Sequence, residues 1–555
     1  MTELYLDRRQ LLLAAAGAAG ALAVGACSDG SSSGGGGGSR PTLRLPHGAL
    51  GFPSPFAANA DLGYNQMSLL YDTLLWKDGS GSLLPWLARS VRTSEDHLTH
   101  GFELREGLRW SDGRPLTADD VVFTFDYYAK QKTLSPPVII QPPQGIATVA
   151  ATGAATVQIT LDAPRVTFLE AVAGALPIIP RHVWSAIADP GAALDRKVLV
   201  GSGPYRLDSY GDDGGPLLYT ARDDYFLGAP YVRRIEMNPI NDEFSGLLTG
   251  GADVARGFGV RADVLDPFRR NPDFGIVSEQ GTFIAALLYW NLGKEGPLAD
   301  PRFRQACAMA IDRKDLVTRL AAGKGLPGNP GFLSPKNPFF VPVRQYDFDV
   351  AGANSLLDTA GYRAAGGGTR RAPDGSALSF ELRLDNAEAP LSEILVAALR
   401  RIGVELRPKP VQIGPELFGN KLFGGYDLTV LLYPGPTAGG PNSDPDVLRR
   451  LFSSKLPPSL TSATGYANPT FDTLAERQLV TFDEGERRSI IAQMQAIVAD
   501  DLPVLPLYYP DRTAVFRRRV LDEWYFTPGQ YPTTDENKQL FVTGVKTGTK
   551  IRPLR

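Results

Sequence analysis

A multidomain α/β fold is predicted for this chain, on three observations. It has 555 residues, 43% of them hydrophobic, enough to bury more than one core. Its 45 Pro and 59 Gly favour turns, short helices and short strands over one long bundle. Finally, residues 378–411 read locally as a βαβ unit. Leu378 to Leu384 alternates as a strand, Leu391 to Ile402 is an amphipathic helix, Gly403 ends it, and Val404 to Val411 extends again. Pro408 and Pro410 end that second strand early or place it at a sheet edge. Such a crossover should be right-handed. No internal repeat of about 20 to 50 residues is present, which argues against a solenoid.

Residues 1–39 do not belong to the fold. Arg8 and Arg9 precede Leu11 to Ala26, a run of 16 residues made only of Leu, Ala, Gly and Val. That is shorter than the ~20 residues that cross a bilayer comfortably, and it reads as the core of a signal peptide. Asp7-Arg8-Arg9-Gln10-Leu11-Leu12 resembles a twin-arginine export signal, which would mean folding before export. Val24-Gly25-Ala26-Cys27 resembles the bacterial lipobox, and the resemblance implies that Cys27 is lipidated and becomes the new N-terminus. Residues 28–40, with Gly34 to Gly38 among them, then form a flexible tether reaching on the order of 20 Å. With no Gly-Lys-Ser/Thr after it, this glycine run is no phosphate loop.

Further on, Thr42 to Leu45 alternates like a first strand, and Asn65 to Leu75 is apolar enough for a helix ending in the turn Trp76-Lys77-Asp78-Gly79. Leu98 to Leu104 alternates again. In Gly107-Leu108-Arg109-Trp110-Ser111-Asp112-Gly113-Arg114-Pro115-Leu116-Thr117-Ala118-Asp119-Asp120-Val121, Asp112-Gly113 supplies a turn. Thr117 can cap a helix whose first turn carries Asp119 and Asp120, and Val121, Val122, Phe125 and Tyr128 give it a buried face.

This stretch resembles the signature of the family 5 extracellular solute-binding proteins, receptors of oligopeptide, dipeptide and nickel uptake. The likeness continues through Val200 to Leu207, Ala299 to Ala306 with Ala310 to Arg313, Gly465 to Pro469, and Leu502 to Tyr508. Asp300 with Pro301, and Asp312, are natural helix starts, and the second helix should stop near Gly323. The resemblance implies an α/β, two-lobed, periplasmic-binding-protein-like fold (type II), joined by hinge strands and carrying an extra inserted domain. It places the signal peptide at 1–27, the first lobe at 41–75, 200–280 and 505–555, the inserted domain at 76–199, and the second lobe at 281–504. The hinge crossings are expected near Leu287 to Asn291 and Asp501 to Leu507. Crossing strands let a few backbone angles turn one lobe against the other, and a ligand touching both favours the closed state.

Catalytic chemistry is not indicated. The folded body carries no Gly-x-Ser-x-Gly elbow, no His-Glu-x-x-His and no phosphate loop. Sixty acidic residues offer carboxylate pairs, and nothing singles one out. His97 and His100 are spaced like some metal pairs, but in an alternating segment they face opposite sides and lack a third ligand. Cys307 lies in an apolar helical run and reads as a small buried thiol. Two cysteines in all exclude a disulfide framework.

By the same resemblance, a cleft loop follows the strand Tyr426 to Tyr433, and peptide-binding members hold the peptide's ammonium with an aspartate there. Here residues 434–443 contain no carboxylate. Asp444 would be the substitute; its more ordinary use is as the cap of a helix opened by Pro445. Without a charge partner the ammonium loses a contact worth roughly 1.5–3 kcal/mol, which makes room for blocked or longer peptides or an uncharged ligand. Asp61, Tyr64, Asn291, Tyr433 and Asp444 are the substrate-binding candidates, with aromatic core packing as the competing role for the tyrosines.

A net charge of −3 leaves no basic excess for nucleic acid. The function expected is a monomeric substrate-binding lipoprotein of an ATP-driven (ABC) importer, without enzymatic activity, metal or cofactor. It would capture a peptide between its lobes at the outer face of the bacterial cytoplasmic membrane, anchored by lipid, and hand it to permease and ATPase subunits. A metal chelate or other small solute is the alternative cargo. An exported surface hydrolase, or a sensory or chaperone-like receptor, is the alternative class.

Overall fold

The unit read from local sequence forms as a strand Ser379–Leu384, a helix Ala389–Arg400 and a strand Glu405–Pro410, the two strands pairing in parallel. Gly403 turns the chain with φ of +73°, a conformation suited to glycine. The proline-containing strand lies at a sheet edge, where absent N–H groups cost no ladder bond. The structure is a computed structural model that describes residues 42–47, 51–57, 62–130, 145–211, 215–281, 284–366, 368–385, 388–411, 425–434, 444–456, 464–527 and 537–544. Cys27, the twin arginines and Asp61 lie outside the described residues.

Six strands make the sheet to which this unit belongs, in the order Gly325–Pro327, Val504–Pro510, Ile284–Trp290, Leu428–Pro434, Ser379–Leu384, Glu405–Pro410. Both faces are covered, which explains why Ile284–Trp290 is apolar throughout instead of alternating. Ala286, Leu288 and Trp290 enter one core with Phe303 and Leu395; Ala285, Leu287 and Tyr289 enter another with Phe471 and Ile491. Helices start where expected: Asp300 accepts from the Arg302 N–H, and Asp312 from those of Lys314 and Asp315. Cys307 is wholly buried in the first of these helices, and burial pushes its thiol pKa up. That makes it inert packing.

A second sheet has the order Thr42–His47, Arg234–Pro239, Leu217–Ala221, Tyr205–Tyr210, its first pair parallel. The helix expected over 65–75 forms earlier, as Leu62–Ser68. The carbonyls of Leu69 and Leu70 are taken instead by the N–H groups of Tyr205 and Gly203, at 3.1 and 2.8 Å. Gly201 and Gly203 make that approach possible: a Cβ on either would sit 1.8 Å from the Leu70 oxygen or 2.5 Å from the Leu69 oxygen.

The signature stretch is a structural knot. Trp110 is fully buried, with its indole N–H 3.4 Å from Asp120. Asp120 also accepts from the N–H of Thr117 at 3.0 Å, the reach-back half of a capping box, and from Arg181 N–H at 3.0 Å. Arg222, fully buried, donates to the carbonyls of Arg109, Trp110 and Gly203 and so pins the stretch to the second sheet. The inserted segment adds an antiparallel sheet, Ala88–Thr93, Thr99–Leu104, Thr156–Leu161, Ile146–Gly153, with helix Ala118–Lys130 against it. Its apolar residues share one core with the second sheet, from Leu43 through Phe102 and Val121 to Phe541.

Inside that core lies a buried ion pair. Lys538, on the short helix Lys538–Thr543, sits 2.6 Å from Asp72, which also accepts from the Trp86 indole at 2.7 Å. Both charged side chains are fully buried, and the ammonium stands 4.0 Å from the Trp76 ring centre.

A three-stranded sheet, Val254–Phe258, Arg512–Arg517, Phe274–Glu279, connects to the six-stranded one twice. The chain leaves it after Glu279 and pairs again from Ile284; it returns from Pro510 through the single residue Asp511. The chain thus passes between the two sheets after Glu279 and again at Asp511, while Leu287 to Trp290 and Val504 to Leu507 pair within the six-stranded sheet. Residues 504–510 are strand of the six-stranded sheet. Apolar runs identified those strands but could not say which end of each faces the joint.

Candidate ligand cleft

Register shows where the joint faces. Ile284 pairs with Pro434, and Ala286 with Tyr508, so the start of one crossing strand and the end of the other share an edge with the carboxyl end of Leu428–Pro434. Ser379–Leu384 and Glu405–Pro410 run parallel to Leu428–Pro434 and end toward the same edge. Ligands of α/β sheets bind beyond the carboxyl ends of parallel strands. Here that place coincides with both crossings.

Of the expected site residues, Tyr433 reaches this edge through its backbone, paired with Ala285; its side chain lies outside the description. Tyr64 is a core residue, 2% exposed, donating its hydroxyl to the Ala175 carbonyl at 2.8 Å. Asn291 follows the far end of its strand, where its amide donates to the Tyr426 carbonyl at 2.9 Å and its backbone N–H to Asp427 at 3.0 Å. It ties two strands together away from the crossings. Asp444 is held by Arg487 through two contacts of 2.9 and 2.7 Å and accepts from the Asp446 N–H at 2.8 Å. Its charge is already matched. Tyr64, Asn291 and Asp444 thus each have a local partner that sequence spacing did not reveal, while Asp61 and the Tyr433 side chain lie outside the described residues.

The paired histidines are also separated in role. His97 occupies the hairpin turn with φ of +55° instead of a strand, and its ring stacks on Phe482 with centres 3.7 Å apart. His100 is buried, shares a hydrogen bond of 3.0 Å with Thr93, and burial lowers its pKa to about 4. Among the described residues no group of three or more His, Cys, Asp or Glu is placed to hold a metal.

Other residues stand between the inserted domain and the second lobe. Val166 N–H donates to the Leu479 carbonyl at 2.9 Å, beside the His97–Phe482 stack. Lys77 is buried and ion-paired with Glu170; burial drives its pKa down, and the nearby Asp444 opposes that. No sequence signal marked Lys77 apart from its turn. At the cleft edge itself are Asp385, Glu388 and Tyr508, where burial followed by the charge of Asp385 raises the Glu388 pKa.

A two-lobed α/β body, crossed by two strands at the carboxyl edge of its larger sheet, defines the periplasmic-binding-protein class. The chain belongs to the bacterial extracellular solute-binding proteins, family 5, whose middle-region profile matches residues 82–455. It is similar to the oligopeptide-binding protein AppA of Bacillus subtilis, 25% identical over 489 residues that cover 84% of this chain and 86% of AppA. Protein XP55 of Streptomyces lividans is 28% identical, with 79% of each chain covered. Among solved structures, B. subtilis AppA in complex with a nonapeptide superposes with a TM-score of 0.74 at 21% identity, covering 88% of this chain and 96% of that one. NikZ from Campylobacter jejuni in complex with Ni(L-His) gives 0.71 at 23% identity, covering 86% and 94%. The family's members bind solutes and are not enzymes. No helix among the described residues is long and apolar enough to cross a membrane.

Proposed function

We propose that the protein is the cargo receptor of an ATP-driven importer and that its cargo is a peptide. The observation that carries this is the coincidence of both strand crossings with the carboxyl edge of the parallel strands, where closure of the lobes buries an extended ligand. Main-chain hydrogen bonding to such a ligand is sequence-tolerant, as peptide uptake needs. The peptide-binding relatives support the choice of cargo. In this reading the first lobe and inserted domain are residues 41–280 and 511–555, the second lobe is 284–510, and Asp61 and Tyr433 line the cleft. The body is tethered through lipidated Cys27 to the outer face of the cytoplasmic membrane, works as a monomer and passes cargo to two permease subunits with their ATPases.

Mass spectrometry of the small molecules released on denaturing the purified protein tests the cargo. Peptides are expected; a recovered metal chelate would replace them, a second reading favoured by the relative solved with Ni(L-His). Anchoring is tested by Cys27→Ala, which should release the protein from membranes, and unchanged membrane association would refute the anchor.

A further inference from the structure

Two contacts join the inserted domain to the second lobe. The Val166 N–H donates to the Leu479 carbonyl at 2.9 Å. His97 stacks on Phe482 with ring centres 3.7 Å apart and planes 8° from parallel. The hairpin that carries His97 packs through Phe102 and Leu104 into the core of the second sheet. The helix Pro469–Leu479, just before Phe482, packs through Phe471 and Leu474 into a core of the six-stranded sheet. Contacts between separate cores must break when the lobes part.

His97 meets Phe482 from a strained backbone. Its φ of +55° is a conformation that glycine and asparagine take more readily. The turn around it is pinned: the His97 N–H donates to the Ser94 carbonyl at 2.9 Å, the Ser94 hydroxyl accepts from the Thr99 N–H at 2.9 Å, and Asp96 accepts from the Leu98 N–H at 3.0 Å. Strain kept in a pinned turn points to a use for the side chain beyond the turn. Phe482 remains 37% exposed in the stack, so water reaches the pair.

Histidine is the side chain whose charge changes between about pH 5 and 8. Once protonated, the ring is a cation lying on an aromatic face, which attracts it. The charges on the segments that meet here favour that cation. Glu95 and Asp96 share its turn, where hydrogen bonds from Ser94 and Leu98 lower the Asp96 pKa, and Asp483 follows Phe482. Arg165, next to Val166, has the opposite sign, while Arg477 and Arg488 are paired with Glu486 and Glu484. His100 on the same hairpin titrates lower, since burial brings its pKa to about 4.

We propose that the inserted domain is a clasp on the second lobe, with the His97–Phe482 stack as its catch, and that protonation of His97 tightens it. The closed form is then favoured in mildly acidic surroundings whatever the cargo, so this clasp does not depend on the peptide reading.

The Val166 amide reports the clasp directly, because its hydrogen bond crosses the joint. Its hydrogen exchange is followed in the ligand-free full-length protein at about pH 8 and about pH 5.5, divided by the intrinsic rate at each pH and referred to the helix Ala118–Lys130 of the same domain. Protection of Val166 should rise about two- to fivefold at the lower pH, the worth of a cation–π contact at an exposed site. His97→Asn, which suits the turn, and Phe482→Leu, which keeps an apolar contact, should each abolish the rise. No rise in the wild type overturns the catch, and if both variants then lower protection equally at the two pH values the stack is packing alone. A rise that survives in either variant also overturns it and assigns the titration to carboxylates. An unprotected Val166 amide in the wild type overturns the clasp itself and leaves the receptor reading standing. Should His97→Asn disorder the hairpin, seen as lost protection in Thr99–Leu104, Phe482→Leu decides alone.

Discussion

Single side chains in this protein serve two masters, and their substitution separates them. Arg487 and Asp444 are both largely buried, so Arg487→Leu leaves a carboxylate without its partner and should cost about 3–5 kcal/mol in denaturant unfolding. Adding Asp444→Asn should recover part of that loss, and no recovery would mean that the pair is not the cause. Gly201→Ala should cost on the order of 3 kcal/mol, since its methyl would occupy the place of the Leu70 carbonyl. His100 carries a pH signature. Its folded pKa of about 4 lies below the ordinary 6.5, so the unfolded chain binds the extra proton between those values. Stability from this group is therefore complete above pH ~6.5 and is lost as pH falls toward ~4. His100→Phe should flatten that portion of the pH–stability curve relative to wild type; an unchanged slope would assign it to carboxylates.

Contacts between elements decide how the lobes meet. The His97–Phe482 stack and the Val166–Leu479 hydrogen bond join the inserted domain to the second lobe on elements far apart in sequence. Phe482→Ala removes the stack, worth about 1 kcal/mol, and should raise the population of open molecules seen as a larger radius of gyration in ligand-free small-angle scattering. An identical radius would show that the stack does not restrain closure. Elements built from local rules were legible in advance: the βαβ unit, its edge strand, and the helices capped by Asp300 and Asp312 all follow from residues within a few positions. What depended on distant partners was not. The helix over 65–75 yielded to hydrogen bonds from Gly203 and Tyr205, and His97 left its strand for a turn. The register shift opposite Ala286 and Leu287 is a bulge that no residue pattern announces.

For the whole molecule, the solute-binding class was legible because the signature around Trp110 and Asp120 is long and is tied together by its own hydrogen bonds. The ligand site was not legible, since candidates such as Tyr64 and Asn291 have chemistry suited equally to packing and to binding. The sheet containing Thr42–His47 and the sheet containing Thr99–Leu104 share one apolar core. Hydrogen exchange should accordingly protect Ile284–Trp290 most strongly, as a strand covered on both faces, and the edge strand Glu405–Pro410 least within that sheet. The reverse order would contradict the layering.

Lys538 has one more bearing, on biosynthesis. Asp72 waits for a counter-ion that arrives 466 residues later in the sequence. Until residue 538 has emerged from the ribosome, the hydrophobic interior of the N-terminal half lacks its plug, so that half cannot finish maturing while the chain up to that point is being made. Nonsense mutations just before Lys538 should then be as damaging as early ones.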